Sequence, residues 1–215
     1  MRTSSLPLVL LLSLPLTLAA EPLTKSERDR AMSYLHATRK QYVDAVASVS
    51  PTQAKWKAAP DRWSVAEVAE HIAVSEEFIM NILTDKLLKA PPATAEQKAA
   101  TKGKDEIVQK AVPDRSQKFQ APEPIVPAGK FADLAATRAA FLASRDKTIH
   151  FVEKTDIPLR DFVAPHPAMR ELDAYQWILL IAAHTERHLK QLQEVKDSPG
   201  YPARCKAPLA GCCEM

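Results

Sequence analysis

Two histidines, His184 and His188, stand four residues apart in the last long helical pattern of the sequence. Residues four apart on a helix lie one turn apart on the same face, so both imidazole rings can aim at a common point. Both positions belong to the apolar stripe that must face the core, where an imidazole without a partner loses hydrogen bonds to water at a cost of roughly 1 to 3 kcal/mol. A metal ion, a buried water network or acids from neighbouring helices would each satisfy the pair.

A third histidine, His71, interrupts the apolar stripe of an earlier helical pattern. Three neutral imidazoles with open positions for water are typical of a reactive metal site. The sequence therefore predicts a divalent-metal site formed by His71, His184 and His188. Zinc, nickel, manganese and iron all accept imidazole, so these ligands do not select the ion. Gln191 is close enough to His188 in sequence to orient a bound water or substrate, and Glu67 could support His71 by a hydrogen bond.

Four amphipathic helices are expected to position these histidines, at about residues 24–49, 64–90, 131–154 and 171–195. Thr24 with Glu27, and Ser64 with Glu67, each form the sequence pattern of a helix-capping box. In the second helix the spacing predicts an inward stripe of Val68, His71, Val74, Phe78 and Ile82, with Glu70, Glu76, Glu77 and Lys86 left for solvent.

The fold class expected from these segments is all-α, a four-helix bundle of the antiparallel type. The chain has only four glycines and no convincing strand, which favours helices over a sheet. Residues 90–130 form a long connection, which is expected to be a lid or a crossover between non-neighbouring helices. Within it, Ala95–Val112 is predicted as one polar helix, with Ile107 and Val108 resting on the bundle.

The two ends of the chain are predicted to lie outside the bundle domain, which spans 21–196. Residues 1–20 combine Arg2, a short apolar run and small residues at Ala19 and Ala20, the three parts of a secretory signal peptide. The protein is therefore expected to be exported, periplasmic or secreted, and free of the membrane after cleavage. Residues 197–215 form a tail that contains all three cysteines: Cys205, Cys212 and Cys213.

The charge pattern limits the expected partners. The formal net charge is only +3, and the 29 basic residues are mixed with 26 acidic ones instead of forming a block. Nucleic acid is therefore excluded as an expected partner. A small-molecule substrate is expected for a reactive metal site, and a homodimer stays open.

Two stretches of the sequence resemble a known family. Trp63–Ile72 (WSVAEVAEHI) is similar to the second-helix signature of the DinB-like (DinB/YfiT-like) superfamily. His166–Leu172 (HPAMREL), followed by Gln176–Trp177 and His184–Gln191 (HTERHLKQ), is similar to its last-helix signature. The resemblance covers about residues 25–196.

The resemblance implies a four-helix bundle with a pocket at one end, where three histidines bind nickel, zinc or a similar divalent ion. His71 matches the ligand of the second helix, and His184 and His188 match the pair of the last. Met169 and Arg170 replace the aromatic residue and the glycine that often follow the His-Pro pair of the family. Members with known activity are similar to thiol-dependent transferases and isomerases or to metal-dependent hydrolases.

The other three histidines are not expected to bind an ion. His166 is interpreted as a loop residue that fixes the turn before the last helix. His36 and His150 are interpreted as structural or solvent-facing.

Three functions remain open from the sequence. A metal-dependent hydrolase is favoured over a thiol-dependent S-transferase or isomerase, because an exported chain leaves the compartment in which small-molecule thiols are expected. A non-catalytic module that binds a metal or a ligand is the third possibility, and a purely structural domain whose histidines satisfy one another would have none of these functions. The sequence shows no clear general base, and Glu67 and Glu70 are the candidates.

Overall fold

The computed structural model describes residues 21–203 of the 215-residue chain. The predicted signal segment and all three cysteines lie outside the described residues. Among the described residues, no helix is both long and apolar enough to cross a membrane. The helices are α1 (Lys25–Ala47), α2 (Pro51–Lys55), α3 (Val65–Asp85), α4 (Ala95–Thr101), α5 (Lys104–Ala111), α6 (Leu134–Lys154) and α7 (Ala174–Lys196); the strands are β1 (Val163–His166) and β2 (Arg170–Asp173); single 3-10 turns lie at Leu87–Lys89, Glu123–Ile125 and Leu159–Asp161.

The four long helices form the bundle. Both α1 and α3 pack against α6 and α7. This pattern places α1 diagonally from α3, and α6 diagonally from α7. The long connection between α3 and α6 therefore joins neighbouring helices, and it is not the crossover that its length allowed. The expected helical bundle is confirmed, with an added β-hairpin.

Capping boxes set the beginnings of α1 and α3. The Thr24 hydroxyl accepts a hydrogen bond from the Glu27 backbone N–H (3.2 Å), and the Glu27 carboxylate accepts one from the Thr24 N–H (2.8 Å). Ser64 and Glu67 make the same reciprocal pair, at 3.2 and 2.7 Å. Both predicted caps are confirmed. Each one satisfies backbone N–H donors that the start of a helix leaves without an internal partner.

A short hairpin precedes α7, and the expected helix start at Glu171 was wrong. Strands β1 and β2 pair antiparallel, and α7 begins three residues later, at Ala174. Asp173 caps the helix by accepting from the Gln176 N–H (2.8 Å). Strands of four residues carry too little alternation to stand out in a sequence.

The turn of this hairpin contains a strained residue. Arg170 has φ of 57°, a left-handed conformation that glycine adopts at no steric cost. Members of the family that the sequence resembles often have glycine at this position. His166 Nδ1 accepts hydrogen bonds from the backbone N–H groups of Ala168 and Met169, both at 3.2 Å. The interpretation of His166 as a residue that fixes this turn is confirmed.

The long connection contains two short helices instead of the single helix expected over Ala95–Val112. They separate at Gly103, whose φ of 74° lies in the left-handed region and ends the helical path. Val108 is buried, as expected, whereas Ile107 is exposed.

The predicted orientation of α3 was wrong for Glu70 and Glu76, which are buried and not left for solvent. The face of α3 that meets the bundle core carries Val65, Val68, Ala69, Ile72, Ile79 and Leu83. The apolar residues Val74 and Phe78 form a second stripe, which lines a groove with Pro124 and Val126 of the connection. Helix α3 therefore has apolar residues on two faces. The prediction assumed a single apolar stripe and placed the inward face between the two.

A buried arginine links all four long helices. Arg145 of α6 has no exposed surface. Its Nε and Nη2 donate to the two carboxylate oxygens of Glu76 on α3, at 2.6 and 2.7 Å. The remaining contacts are donated to Thr38 Oγ1 (2.7 Å) and Leu35 O (2.8 Å) on α1, and to Thr185 Oγ1 (2.9 Å) on α7. Every direction of the guanidinium therefore has a partner.

Replacement of this arginine should destabilise the bundle strongly. In Arg145→Met the Glu76 carboxylate is left buried without its counter-charge, which costs about 3–5 kcal/mol. The matched control is Arg39→Met, which removes the exposed ion pair with Asp146 and should cost less than about 1 kcal/mol. Urea denaturation measures both values, and equal losses in the two variants would contradict this account.

Candidate metal centre

Three histidines from two helices meet at the interface of α3 and α7. His71 lies in the second turn of α3 and contacts the long connection through Ile125 O. His184 and His188 lie one turn apart on α7. The packing of α3 against α7 brings the three imidazoles together, as the sequence predicted.

The rings are close enough to share one ion. Their centroids lie 4.3 Å apart for His71 and His188, 4.4 Å for His184 and His188, and 5.0 Å for His71 and His184. His71 Nε2 and His188 Nε2 are 3.1 Å apart, the spacing of two nitrogens that each lie ~2.0–2.1 Å from one ion. One ligand atom from each histidine lies within 4.8 Å of the others. Two nitrogens that each bind one tetrahedral ion at ~2.0–2.1 Å lie roughly 3.3–3.4 Å apart, so a pair at the 4.8 Å limit must close by about 1.4 Å.

The site is closed on the sides of His71 and His188. His71 is 1% exposed and His188 is 9% exposed, while His184 keeps partial exposure. The Trp63 ring packs against His71 with centroids 4.9 Å apart. A ligand of the ion would therefore approach on the side of His184.

A backbone carbonyl fixes the tautomer of His71. His71 Nδ1 lies 2.7 Å from Ile125 O, in the 3-10 turn of the long connection. A carbonyl oxygen only accepts, so Nδ1 must carry the hydrogen. Nε2 then presents its lone pair toward the other histidines, as a metal ligand requires.

The two side chains expected to assist the site have other contacts. Gln191 Oε1 lies 2.7 Å from His188 Nδ1, so this side chain contacts a histidine directly. The Glu67 carboxylate accepts from the Ser64 N–H and from Lys57 Nζ (2.7 Å each), and these contacts occupy it at the helix start.

Burial keeps the histidines neutral. It lowers the pKa of His71, against a smaller raising effect of the hydrogen bond with Ile125 O. Burial lowers the pKa of His184 well below its usual range, and the neighbouring His71 and Arg187 lower this pKa further. The pKa of His188 is also well below its usual range, because of burial and of the two other histidines. Neutral imidazoles are the form that binds a metal, so the donor set fits a divalent ion.

The remaining histidines lie outside this cluster. His36 and His150 are exposed, and His166 holds its turn. Sequence reasoning missed the Ile125 carbonyl and the side chain of Arg115, which donates to Gln191 Oε1 (3.2 Å). A backbone carbonyl in a loop carries no residue-type signal, and no sequence pattern ties residue 115 to the last helix.

The fold and the site define a helical-bundle protein with a three-histidine cluster between two of its long helices. A family model of the DinB superfamily matches residues 34–192. The chain therefore belongs to the DinB superfamily, as its two signature stretches indicated.

Two individual proteins are similar to this chain. The uncharacterized protein YuaE of Bacillus subtilis (strain 168) is 26% identical over 166 residues, which cover 77% of this chain and 97% of YuaE. Among solved structures, YfiT from Bacillus subtilis is a probable metal-dependent hydrolase with an unusual four-helix bundle topology. It matches with a TM-score of 0.50 and 17% identity, over 81% of this chain and 88% of YfiT. This likeness shows a shared fold.

Metal content should depend on the three clustered histidines. Each of His71→Ala, His184→Ala and His188→Ala removes one of the three candidate ligands, so the purified variants should lose the ion that we expect the wild-type protein to bind. His150→Ala changes an exposed histidine of α6 and should keep the metal. Elemental analysis measures the content, and an unchanged amount in the cluster variants would rule out this site.

Proposed function

We propose that this chain is an exported, divalent-metal-dependent hydrolase whose ion is held by His71, His184 and His188. The observation that carries the proposal is the convergence of three neutral imidazoles, two of them buried, at the α3–α7 interface. Zinc and nickel are the ions proposed first, followed by manganese and iron. A small molecule is the proposed substrate.

The ligand set suits hydrolysis. A bound divalent ion supplies a Lewis acid that polarises a carbonyl or phosphoryl oxygen and lowers the pKa of water toward neutrality. The three imidazoles are neutral and leave the positive charge of the ion uncompensated. Trp63 packs against one side of His71, and His184 keeps partial exposure, so access to the ion is proposed on the His184 side.

Neither candidate general base is free. The Glu70 carboxylate accepts hydrogen bonds from the backbone N–H groups of Ala128, Gly129 and Lys130, at 2.8 to 3.1 Å. Glu67 is engaged with Ser64 and Lys57. We therefore assign no side chain among residues 21–203 as the base, and the proton of the attacking water is expected to leave to solvent on the His184 side.

Hydrolysis is proposed ahead of thiol transfer for two reasons. Residues 1–20 have the pattern of an export signal, and an exported protein would lack the small-molecule thiols of the cell interior. The similar protein YfiT is a probable metal-dependent hydrolase. Export itself is part of the proposal, and a mature protein whose mass includes residues 1–20 would contradict it.

A binding module without turnover is the second candidate. The observation that favours it is the engagement of Glu67 and Glu70 in backbone and ion-pair contacts. On this alternative, the chain captures a metal, or a ligand through the metal, and releases no product.

Hydrolytic activity should require both the bound ion and the side chain of His184. Metal-free protein reloaded in turn with zinc, nickel, manganese or iron is assayed on a panel of esters, amides and phosphoesters, with and without a low-molecular-weight thiol. We expect hydrolysis with at least one ion, lost by at least ~100-fold in His184→Ala, and kept in His150→Ala.

The other outcomes separate the candidates. A product that forms only with the thiol would identify a transferase and contradict the hydrolase. Tight metal binding with no product from any substrate would favour the binding module.

A further inference from the structure

One amide oxygen joins the metal centre to the long connection. Gln191 Oε1 lies 2.7 Å from His188 Nδ1, and the same oxygen accepts from Arg115 Nη1 at 3.2 Å. Arg115 follows α5 in the chain, and Gln191 lies on α7. The three side chains therefore form a line from the connection to a metal ligand.

Arg115 determines which end of the amide faces His188. A guanidinium carries donors only, so the amide atom beside it must be the oxygen. If the amide turned over, its NH₂ group would face the N–H of Arg115, and both donors would lose their partner. Because that same oxygen faces His188 Nδ1, this ring nitrogen must carry the hydrogen. The lone pair of His188 is then on Nε2, the atom that lies 3.1 Å from His71 Nε2.

Arg115 is itself held in a fixed orientation. Its Nε and Nη2 donate to the two carboxylate oxygens of Glu194, at 2.6 and 2.8 Å. The side chain of Arg115 is 17% exposed. A bidentate pair of this kind fixes the guanidinium plane, so the third donor, Nη1, is directed at Gln191.

We propose that Arg115 is a positioning residue that acts through Gln191 to hold His188 as the Nδ1–H tautomer, with Nε2 free for the ion. His71 receives the same tautomer from Ile125 O. Both positioning groups belong to the connection between α3 and α6, so this connection prepares two of the three ligands. The proposal rests on the metal-binding half of the proposed function and is independent of hydrolysis.

The tautomer can be measured in the ion-free wild-type protein. Two-bond ¹H–¹⁵N correlation spectra of ¹⁵N-labelled protein, recorded at about pH 8 where imidazole is neutral, identify the protonated nitrogen of each histidine. We expect Nδ1–H for His188 and for His71. An Nε2–H form of His188 in the wild-type protein would overturn the proposal, whatever the variants show.

Two variants test whether Arg115 acts through the amide. In Arg115→Met the Gln191 amide can turn over, so the Nε2–H form of His188 should appear and the zinc affinity should fall about 10–100-fold. In Arg115→Met/Gln191→Glu the carboxylate can only accept, so the Nδ1–H form and the zinc affinity should return. The control Arg39→Met removes a partly exposed arginine that is also bidentate with its acid, and it should change neither readout.

Zinc affinity is measured by competition with a chelator, beside the tautomer spectra. An unchanged tautomer and affinity in Arg115→Met, or no recovery in the double variant, would overturn the role of Arg115. If the wild-type protein binds no zinc, nickel, manganese or iron, the metal-site proposal fails, while the spectra of the ion-free protein still decide whether Arg115 sets the tautomer.

Discussion

Helix α3 packs against α7, and this contact sets the separation of the imidazoles on which the site depends. It places His71 Nε2 3.1 Å from His188 Nε2, in surroundings where neither ring can easily carry a charge. With a hydrogen on each outer nitrogen, two lone pairs face one another across this gap, an arrangement that a cation between them would stabilise. The outer nitrogens of both rings already have partners in Ile125 O and Gln191 Oε1. The inner nitrogens are the ones left for an ion.

The buried ion pair of the core fixes the register of the helices that carry the ligands. Arg145 contacts Glu76, five residues after His71, and Thr185, the residue next to His184. If α3 shifted along α7, the imidazoles would separate. The buried ion pair of Arg145 and Glu76 would also be broken, which leaves a buried charge without its partner. The same interaction that specifies the bundle therefore also keeps the three histidines within reach of one another.

The sequence predicted the parts of this arrangement that depend on local spacing. The capping boxes at Thr24 and Ser64 and the pairing of His184 with His188 each follow from residues three or four apart. The inward face of α3 was misjudged because its second apolar stripe, with Val74 and Phe78, lines a groove beside the long connection. The hairpin before α7 was missed because its strands are too short to show a period of two.

The contacts around the clustered histidines could not be predicted from the sequence for a different reason. Ile125 contributes a backbone carbonyl, which any residue type can supply. Arg115 reaches Gln191 across 76 positions of the chain, and only the path of the connection brings them together. Local patterns thus identified the three clustered histidines, whereas the groups that orient them required the fold.

X-ray absorption spectroscopy of the zinc-loaded protein tests the central claim most directly, because it reports the atoms bound to the ion. The account predicts a first shell that contains three imidazole nitrogens at ~2.0–2.1 Å, with the remaining positions filled by water oxygen. A shell of oxygen atoms only, or one with thiolate sulfur at ~2.3 Å from the cysteine tail, would contradict it.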